Sequence, residues 1–455
     1  MVSVGRSATE LAAAVRQSRT TAREVVDAHL VHLKAVDDHL GAFVSVRAEA
    51  ALREADAVDA REDRFALPLA GVPVAIKDVA DVAGEPTRHG SRALSDGPAL
   101  RDDPIVKRLR RAGAVIIGKT RCPELSVWGT SDDPDAVAVN PWDPSRTAGG
   151  SSGGSAAAVT AGVVPIALAS DGLGSVRIPA AATGCVGIRP GEGHLPVLVD
   201  GRHHWFGMSR YGPIATTVED LALALDVMTG AEVHRDPEAP QELRVAVSWS
   251  SPVPSDVVAR PWQDSAVEAG RVLRHLGHHV VRADPPYDTA LLPAVIARWT
   301  QGTARDIEDL GCDVERLQRR TRAHATIGRR LADVYEVDDR QAQRWRDRVA
   351  PFFVEHDVLI TPMFARTPPK AVAWHTRSWA RNLAANLLAY PFTWPWNLAD
   401  LPAAAVPLGT HHGQPMAVQI VAGPGREDLV LGLARAIERT VGWRRHAPGW
   451  GVVPA

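Results

Sequence analysis

The sequence has 455 residues, 45% of them hydrophobic, and its 51 basic and 53 acidic side chains leave a net charge of −2. This balance argues against a nucleic acid or an anionic membrane as the main partner, because both attract strongly basic surfaces. Three scattered cysteines are too few for a disulfide framework or a zinc site. No run of 18 apolar residues occurs, and Glu10 and Arg16 interrupt the region where a signal peptide would be apolar. We therefore expect a soluble, cytoplasmic, globular protein.

The first 62 residues are predicted to be helical. Residues 7–10 and 21–24 each fit a capping box ahead of an apolar stripe. Short apolar runs at 69–76 and 114–117 then predict strands on either side of a helix at 104–112. Strands alternating with helices are typical of an α/β fold, in which helices cover both faces of a large mixed sheet.

The second half continues this alternation. A strand is predicted at 243–248, a helix around 265–276, charged helices across 303–350 and a short strand at 357–360. No internal repeat or disordered tail is evident. We expect one domain spanning residues 1–455, with the helical segment 1–62 packed on it.

Two motif matches are better declined. Residues 113–120 fit the phosphate-loop pattern G-x-x-x-x-G-K-[ST], but the middle residues are β-branched, so a strand occupies the place of the loop. Residues 150–154 fit the nucleophile elbow G-x-S-x-G around Ser152. That elbow must follow a buried strand, whereas residues 143–148 are predicted to form a turn-rich loop.

Two glycine- and serine-rich segments have a chemical interpretation of their own. Residues 149–155 read Gly-Gly-Ser-Ser-Gly-Gly-Ser and precede a small apolar run, which favours a packed backbone loop entering a buried helix over a flexible linker. In residues 171–179, glycines just before Ser175 allow a tight turn that aims N–H groups at one point, as an oxyanion requires. Alone, this second signal is weak.

A lysine stands at the end of the first predicted strand. Only five of the basic residues are lysines, and Lys77 directly follows the apolar run 69–76. It could pair with Asp78, reach solvent, or lose its proton through desolvation. Neutral lysine is a competent base toward a serine hydroxyl, whereas arginine stays protonated.

Together, these three segments resemble the amidase signature family, whose catalytic triad is Ser-cis-Ser-Lys. In that family a G-V-P-x-x-x-K-D strand end supplies the lysine, and the first serine of G-G-S-S-G-G-S bridges to a nucleophile 24 residues further on. Here these positions are Lys77, Ser151 and Ser175. The resemblance also includes residues 140–144, 184–190, 212–214 and 397–407, and so covers nearly the whole chain.

The resemblance implies that Ser175 attacks an amide carbonyl and forms an acyl-enzyme. Ser151, on a cis peptide bond, would pass the proton of Ser175 to neutral Lys77. No metal or cofactor is implied. The backbone N–H groups expected to bind the oxyanion belong to Gly172, Leu173, Gly174 and Ser175. The residues expected to support this arrangement are Ser152, Asp171 and Arg177.

Several positions depart from the family pattern, among them Gly172, which stands where threonine or isoleucine is common. Leu173 stands where a glycine is usual, so either the turn keeps an ordinary φ there or its geometry changes, and the side chain is expected to narrow the acyl pocket. Arg189 replaces the usual lysine in Gly-Ile-Arg-Pro-Gly, and Asp400 replaces the usual glycine near the end of the chain. These changes leave the triad whole and bear on the substrate.

The expected function is hydrolysis of a linear carboxylic amide to an acid and an amine or ammonia. The alternatives are an acyltransferase or amide-forming enzyme of the same family, an aminoacyl-tRNA amidotransferase A subunit with a partner chain, and a catalytically silent scaffold. A homodimer is compatible with each. The chain has 13 tryptophans, and Trp374, Trp379, Trp394 and Trp396 lie close together in sequence. They either pack in the core or line an entrance that favours aryl or hydrophobic groups.

Overall fold

The computed structural model describes residues 3–195, 203–232, 234, 237–238, 241–253 and 257–452. Its helices are α1 Ala8–Arg16, α2 Ala22–Leu40, α3 Ala48–Asp59, α4 Pro104–Arg111, α5 Gly153–Thr160, α6 Arg177–Thr183, α7 Val218–Thr229, α8 Arg260–His275, α9 Leu291–Asp309, α10 Arg319–Ala332, α11 Asp339–Glu355, α12 Trp379–Ala389, α13 Trp394–Ala399 and α14 Glu427–Val441. Its strands are β1 Phe43–Val46, β2 Pro73–Lys77, β3 Val115–Thr120, β4 Val139–Asn140, β5 Asp143–Thr147, β6 Ile166–Asp171, β7 Val186–Arg189, β8 Arg210–Ala215, β9 Arg244–Val247, β10 His279–Arg282, β11 Val358–Pro362, β12 Ala403–His411 and β13 Gln414–Ala422.

The N-terminal segment is helical with one exception. Both predicted capping boxes form: the hydroxyls of Ser7 and Thr21 accept the third amides of α1 and α2. The prediction of helix throughout residues 1–62 is wrong at β1, which pairs antiparallel with β3. The sequence Phe-Val-Ser-Val suits a strand, and Gly41 in the left-handed conformation ends α2 just before it. The segment therefore contributes an edge strand to the sheet.

Eleven strands of the described chain form one sheet, in the order β1-β3-β2-β6-β8-β7-β12-β13-β11-β9-β10. Strands β3, β2 and β6 run parallel, as do β11, β9 and β10, and the other pairs are antiparallel. The predicted mixed sheet is thus confirmed. Strands from both ends of the sequence belong to it, and the single domain over residues 1–455 stays a prediction.

The central strands are covered on both faces. Every residue of β2, β3, β6, β7 and β8 is buried. Because successive side chains of a strand point to opposite faces, complete burial requires cover on each side, as predicted. None of the helices in the described part of the chain combines the length and hydropathy needed to cross a membrane.

The two declined motifs have different outcomes. Strand β3 runs through Lys119 and Thr120, so the phosphate-loop pattern lies on a strand, as predicted. The prediction of a loop at 143–148 is wrong, because β5 forms there and pairs with β4 in a two-stranded ribbon. This ribbon is partly exposed and separate from the large sheet. It is therefore not the buried strand that a nucleophile elbow requires.

Candidate active site

The site forms where two neighbouring parallel strands end. Ile76 of β2 pairs with Leu168 of β6, so the carboxyl ends of both strands reach the same edge of the sheet. Lys77 stands at the end of β2, and Ser170 and Asp171 stand at the end of β6. The Nζ atom of Lys77 donates to Ser170 Oγ at 3.0 Å. Sheet register therefore brings the lysine to the turn that carries Ser175.

Lys77 is fully buried and lies against a serine hydroxyl. Its Nζ atom is 2.7 Å from Ser151 Oγ. The adjacent carboxylate, Asp78, forms its ion pair with Lys119 instead, at 2.8 Å. Burial lowers the pKa of Lys77 from 10.5 to about 8, against smaller opposing effects of Cys122 and Asp171. The structure therefore favours desolvation of Lys77 over pairing with Asp78 or exposure to solvent.

The glycine-serine loop is packed tightly and holds Ser151 in place. The Gly150–Ser151 peptide bond is cis, as predicted. A Cβ at Gly150 would lie 2.6–2.7 Å from the backbone of residues 128–130, so only glycine fits there. Ser131, which the sequence did not single out, donates to the carbonyl of Ser151 at 3.1 Å and accepts the amide of Gly153 at 2.8 Å. The loop enters the fully buried helix α5, which excludes a flexible linker.

Ser152 joins this loop to the turn that carries Ser175. Its amide donates to the carbonyl of Ser175 at 3.3 Å, and its Oγ donates to the carbonyl of Ser170 at 3.2 Å. Both contacts are with backbone carbonyls at the end of β6 and in the following turn. This geometry is compatible with the supporting role predicted for Ser152, which stays a prediction.

One of the predicted oxyanion donors is already engaged. The amide of Gly174 donates to Asp171 Oδ1 at 2.6 Å, so it already has a partner in the protein, and its assignment to the oxyanion stays a prediction. Gly174 itself takes the left-handed φ of +114°, whereas Leu173 keeps an ordinary φ. Within the described residues, the amides of Gly172, Leu173 and Ser175 donate no hydrogen bond. Those three also remain predicted donors.

A buried ion pair between Asp171 and Arg177 holds the turn that carries Ser175. Arg177 Nε donates to Asp171 Oδ2 at 2.9 Å, and both side chains are fully buried. Burial alone would raise the pKa of Asp171, but the charge and hydrogen bonds of Arg177, with a further bond from Asn397, hold it well below its ordinary value. Gln419 Oε1 accepts from Arg177 Nη1 at 2.6 Å. Asn397 and Gln419 were not predicted, because their role depends on contacts more than 200 residues away in sequence.

Ser175 lies on the wall of a small cavity of about 50 Å³. Leu173 also lines this cavity, and its narrowing of the acyl pocket stays a prediction. Its aromatic lining residues are Trp128, Trp205, Trp299, Tyr390 and Trp394.

The aromatic wall differs from the one that the sequence suggested. Of the four tryptophans that lie close together in sequence, only Trp394 lines the cavity. Trp396 packs against Trp345 instead, at a ring-centroid distance of 6.1 Å. Trp374 and Trp379 are also absent from the lining among the described residues. The other aromatic side chains come from distant segments, which proximity in sequence could not indicate.

Trp205 is anchored on both its polar and its apolar sides. Its Nε1 donates to Asp306 Oδ2 at 3.0 Å, and the ring of His204 stacks on it at 4.6 Å. A Cβ at Gly172 would lie 2.7 Å from the Trp205 ring. The absence of a side chain at Gly172 therefore lets this tryptophan pack directly on the turn before Ser175.

Two of the departures from the family pattern are in contact. Arg189 Nη2 lies 2.6 Å from Asp400 Oδ1, and Arg210 Nε donates to the same carboxylate at 2.7 Å. Burial would raise the pKa of Asp400, but the two guanidinium groups outweigh it and lower the pKa. Arg189 also donates to the carbonyl of Met208, in the segment that carries Trp205.

Comparison with known proteins identifies the family. The profile of the Amidase family matches residues 24–431. AmiB2 of Mycobacterium tuberculosis, a protein named as an amidase, is 40% identical over 441 residues, which cover 94% of each chain. The structure of a 6-aminohexanoate cyclic dimer hydrolase complexed with substrate has a TM-score of 0.85 and 27% identity, covering 98% of this chain and 99% of that one. A bacterial aryl acylamidase of the amidase signature family has a TM-score of 0.84 and 26% identity, covering 97% of both chains.

The family match and the relatives named as amidases identify an amide-hydrolysing enzyme. The chain belongs to the amidase signature family. Among the described residues, no three His, Cys, Asp or Glu side chains are grouped so as to hold a metal ion.

Proposed function

We propose that the protein hydrolyses linear carboxylic amides through an acyl-enzyme on Ser175, with Ser151 and Lys77 as the proton relay. The observation that carries this proposal is the 2.7 Å contact between Lys77 Nζ and Ser151 Oγ, beside a cavity lined by Ser175. A pKa of about 8 for Lys77 supports it, because a base must be partly neutral at working pH.

The first half of the reaction forms the acyl-enzyme. Oγ of Ser175 attacks the amide carbonyl carbon and gives its proton to Ser151 Oγ, whose own proton passes to neutral Lys77 Nζ. The same relay then returns a proton to the amide nitrogen as the C–N bond breaks and the amine leaves. In the second half, water attacks the carbonyl carbon of the acyl-enzyme and gives a proton to the same relay. The ester bond to Ser175 then breaks, Ser175 Oγ regains a proton, and the acid is released.

The oxyanion of each tetrahedral intermediate is assigned to the backbone amides of Gly172, Leu173 and Ser175. One such donor is typically worth about 2.7–4 kcal/mol of barrier. Asp171 contributes indirectly: by accepting the Gly174 amide and pairing with Arg177, it fixes the turn on which these donors stand.

The substrate is proposed to carry an aromatic or other hydrophobic group. Five aromatic side chains and Leu173 line the cavity beside Ser175. Burial of an aromatic group against such a wall is favourable both through its area and through ring-ring contacts.

Covalent labelling tests the triad directly. A fluorophosphonate should modify Ser175, as located by peptide mass spectrometry, and Lys77→Ala should suppress the modification. Labelling at Ser152 instead would overturn the assignment. Lys34→Arg, at an exposed lysine, is the matched control and should label like the unmodified protein.

Turnover of an amide series with and without hydroxylamine separates the remaining alternatives. Acid as the main product indicates a hydrolase, and predominant hydroxamate at low hydroxylamine concentration indicates an acyltransferase. A partner-dependent amidotransferase subunit or a silent scaffold would give neither product from the isolated chain. We expect acid.

A further inference from the structure

The peptide unit that joins Leu173 to Gly174 is held at both of its polar ends. Its N–H group, which belongs to Gly174, donates to Asp171 Oδ1 at 2.6 Å. Its carbonyl, which belongs to Leu173, accepts a hydrogen bond from Thr393 Oγ1 at 2.6 Å. A peptide unit is planar and rigid, so these two contacts together fix the direction in which the whole unit faces.

Thr393 is held firmly where it makes this contact. It is fully buried and stands immediately before α13. Its own carbonyl accepts from Arg177 Nη1 at 3.1 Å, so the residue is tied both to the turn and to the first residue of α6. A Cβ at Gly174 would collide with the Thr393 side chain. The glycine therefore allows the hydroxyl to come within reach of the turn.

The Leu173–Gly174 peptide unit stands between two of the amides assigned to the oxyanion. The N–H of Leu173 belongs to the peptide unit before it, and the N–H of Ser175 belongs to the unit after it. Rotation of the middle unit changes ψ at Leu173 and φ at Gly174, and can thereby redirect both neighbours. Gly174, at a φ of +114°, has no side chain to resist such a rotation. Asp171 holds the N–H end of the middle unit, and Thr393 holds the carbonyl end.

We propose that Thr393 is a positioning residue for the oxyanion donors: its hydroxyl orients the Leu173–Gly174 peptide unit and so aligns the amides of Leu173 and Ser175. This inference rests on the proposed function and adds to it a residue that acts through the turn. An oxyanion exists in the tetrahedral intermediates and not in the bound amide, so its donors act on kcat rather than on KM. Misaligned donors should therefore slow the reaction and leave substrate binding intact.

A purely structural role for Thr393 is the competing interpretation. Trp394, the next residue, lines the cavity beside Ser175. Loss of packing at Thr393 would loosen that wall and raise KM for aryl amides. It would also be larger in a serine variant, which lacks a methyl group, than in a valine variant, which keeps the shape. The two interpretations therefore predict opposite orders of damage.

Thr393→Val and Thr393→Ser separate these two roles. Valine removes the hydroxyl and keeps the shape, whereas serine keeps the hydroxyl and removes a methyl group. Deletion of one oxyanion donor typically costs about 10²–10³ in kcat, and misalignment should cost less. We expect kcat to fall about tenfold in Thr393→Val with KM within about twofold, and kcat of Thr393→Ser to stay within about threefold of the unmodified enzyme.

Inhibition by a trifluoromethyl ketone gives a second readout. Ser175 Oγ adds to the ketone carbonyl carbon, the C=O electron pair becomes an oxyanion, and the relay takes the serine proton. Thr393→Val should weaken this inhibition by about the same factor as it lowers kcat. Binding of the parent amide to Ser175→Ala should be the same with and without Thr393→Val, because no oxyanion forms there.

Thr160→Val is the matched control. Thr160 is also fully buried and its hydroxyl donates to the carbonyl of Thr183 at 2.8 Å, but it does not line the cavity. Its substitution should leave kcat and KM unchanged. If Thr393→Val does not fold, Thr393→Cys, with a similar volume and a much weaker donor, replaces it and should also lower kcat. Unchanged kcat in the folded variant, a greater loss in Thr393→Ser than in Thr393→Val, or a change in KM alone would overturn the proposal.

The rate at which a fluorophosphonate labels Ser175 separates this proposal from the proposed function. Ser175 Oγ displaces fluoride from phosphorus, and the phosphoryl oxygen takes the position of the oxyanion. Thr393→Val should therefore slow labelling, and Thr393→Ser should not. Slower labelling in Thr393→Val without amide hydrolysis by the unmodified enzyme would refute only the proposed reaction. Amide hydrolysis by the unmodified enzyme with equal kcat in Thr393→Val would refute only the role of Thr393.

Discussion

Lys77 Nζ lies 2.7 Å from Ser151 Oγ, while the carboxylate next to it in sequence, Asp78, is paired with Lys119. The second lysine thus satisfies Asp78 and leaves Lys77 among hydroxyl groups. If Asp78 faced Lys77 directly, the ion pair would favour the charged lysine and remove its capacity to accept a proton. In the proposed reaction, Lys119 pairs with the carboxylate of Asp78, and Lys77 is left to accept a proton.

Lys77→Arg should abolish amide hydrolysis although it keeps the positive charge. Arginine stays protonated in proteins, so it cannot accept the serine proton, and general-base catalysis typically contributes about 10²–10⁴-fold. Steady-state kinetics should show kcat reduced by at least that factor. Lys34→Arg, at an exposed position, should retain full activity. Near-normal turnover by Lys77→Arg would show that this lysine is not the base.

Activity should rise with pH through the pKa of Lys77. That pKa is lowered to about 8, and only the neutral amine accepts a proton, so activity is lost as the pH falls below 8. Between pH 7 and pH 9 the neutral fraction grows about tenfold, and kcat/KM should follow it. The measurement is a pH profile of kcat/KM for one amide. A flat profile across this interval would contradict the assignment.

Asp171→Asn should destabilise the fold as well as lower activity. The substitution leaves the guanidinium of Arg177 buried without its counter-ion, and breaking a buried pair in this way typically costs about 3–5 kcal/mol. Urea unfolding should detect the loss. Arg23→Ala removes the half-exposed pair with Asp56 and should cause no measurable change. Equal stability of the two variants would argue against the importance of the buried pair.

Trp205→Ala should lower kcat/KM for aryl amides roughly tenfold, because it removes one aromatic wall of the cavity. Acetamide, which is too small to reach that wall, should be affected much less. Asp306→Ala releases the indole N–H and should raise KM for aryl amides while changing kcat little. The control is Asp309→Ala, at an exposed carboxylate on the same helix. Equal losses of kcat/KM for aryl amides and acetamide in Trp205→Ala would contradict the role of Trp205 in binding the aryl group.

The three segments could be located because each leaves a local pattern, but only the resemblance to the amidase signature family combines them into a triad, which stays a prediction. A strand end, a glycine-serine loop and a tight turn each leave a short sequence pattern, and the spacing of 24 residues between Ser151 and Ser175 connects two of them. The mixed sheet followed in the same way from alternating apolar runs. These features depend mainly on residues close together in sequence.

The cavity wall and the support of the turn could not be predicted. Trp128, Trp205 and Trp299 meet only because separate segments pack together, and no local pattern marks them. The hydrogen bond from the Gly174 amide to Asp171 accompanies a positive φ at Gly174, and neither can be read from composition. Strands β1 and β5 were missed because polar or short segments become strands when a neighbouring strand offers hydrogen bonds.

Arg189 and Asp400 each depart from the family pattern, and the ion pair between them links the two departures. If Asp400 alone reverted to the glycine usual in the family, two guanidinium groups would face each other in the interior without a counter-charge. If Arg189 alone were shortened, the carboxylate would keep only Arg210. The energies of the two reversions should therefore not add, and each position constrains which residues the other can accept. Two positions 211 residues apart in sequence therefore act energetically as one unit.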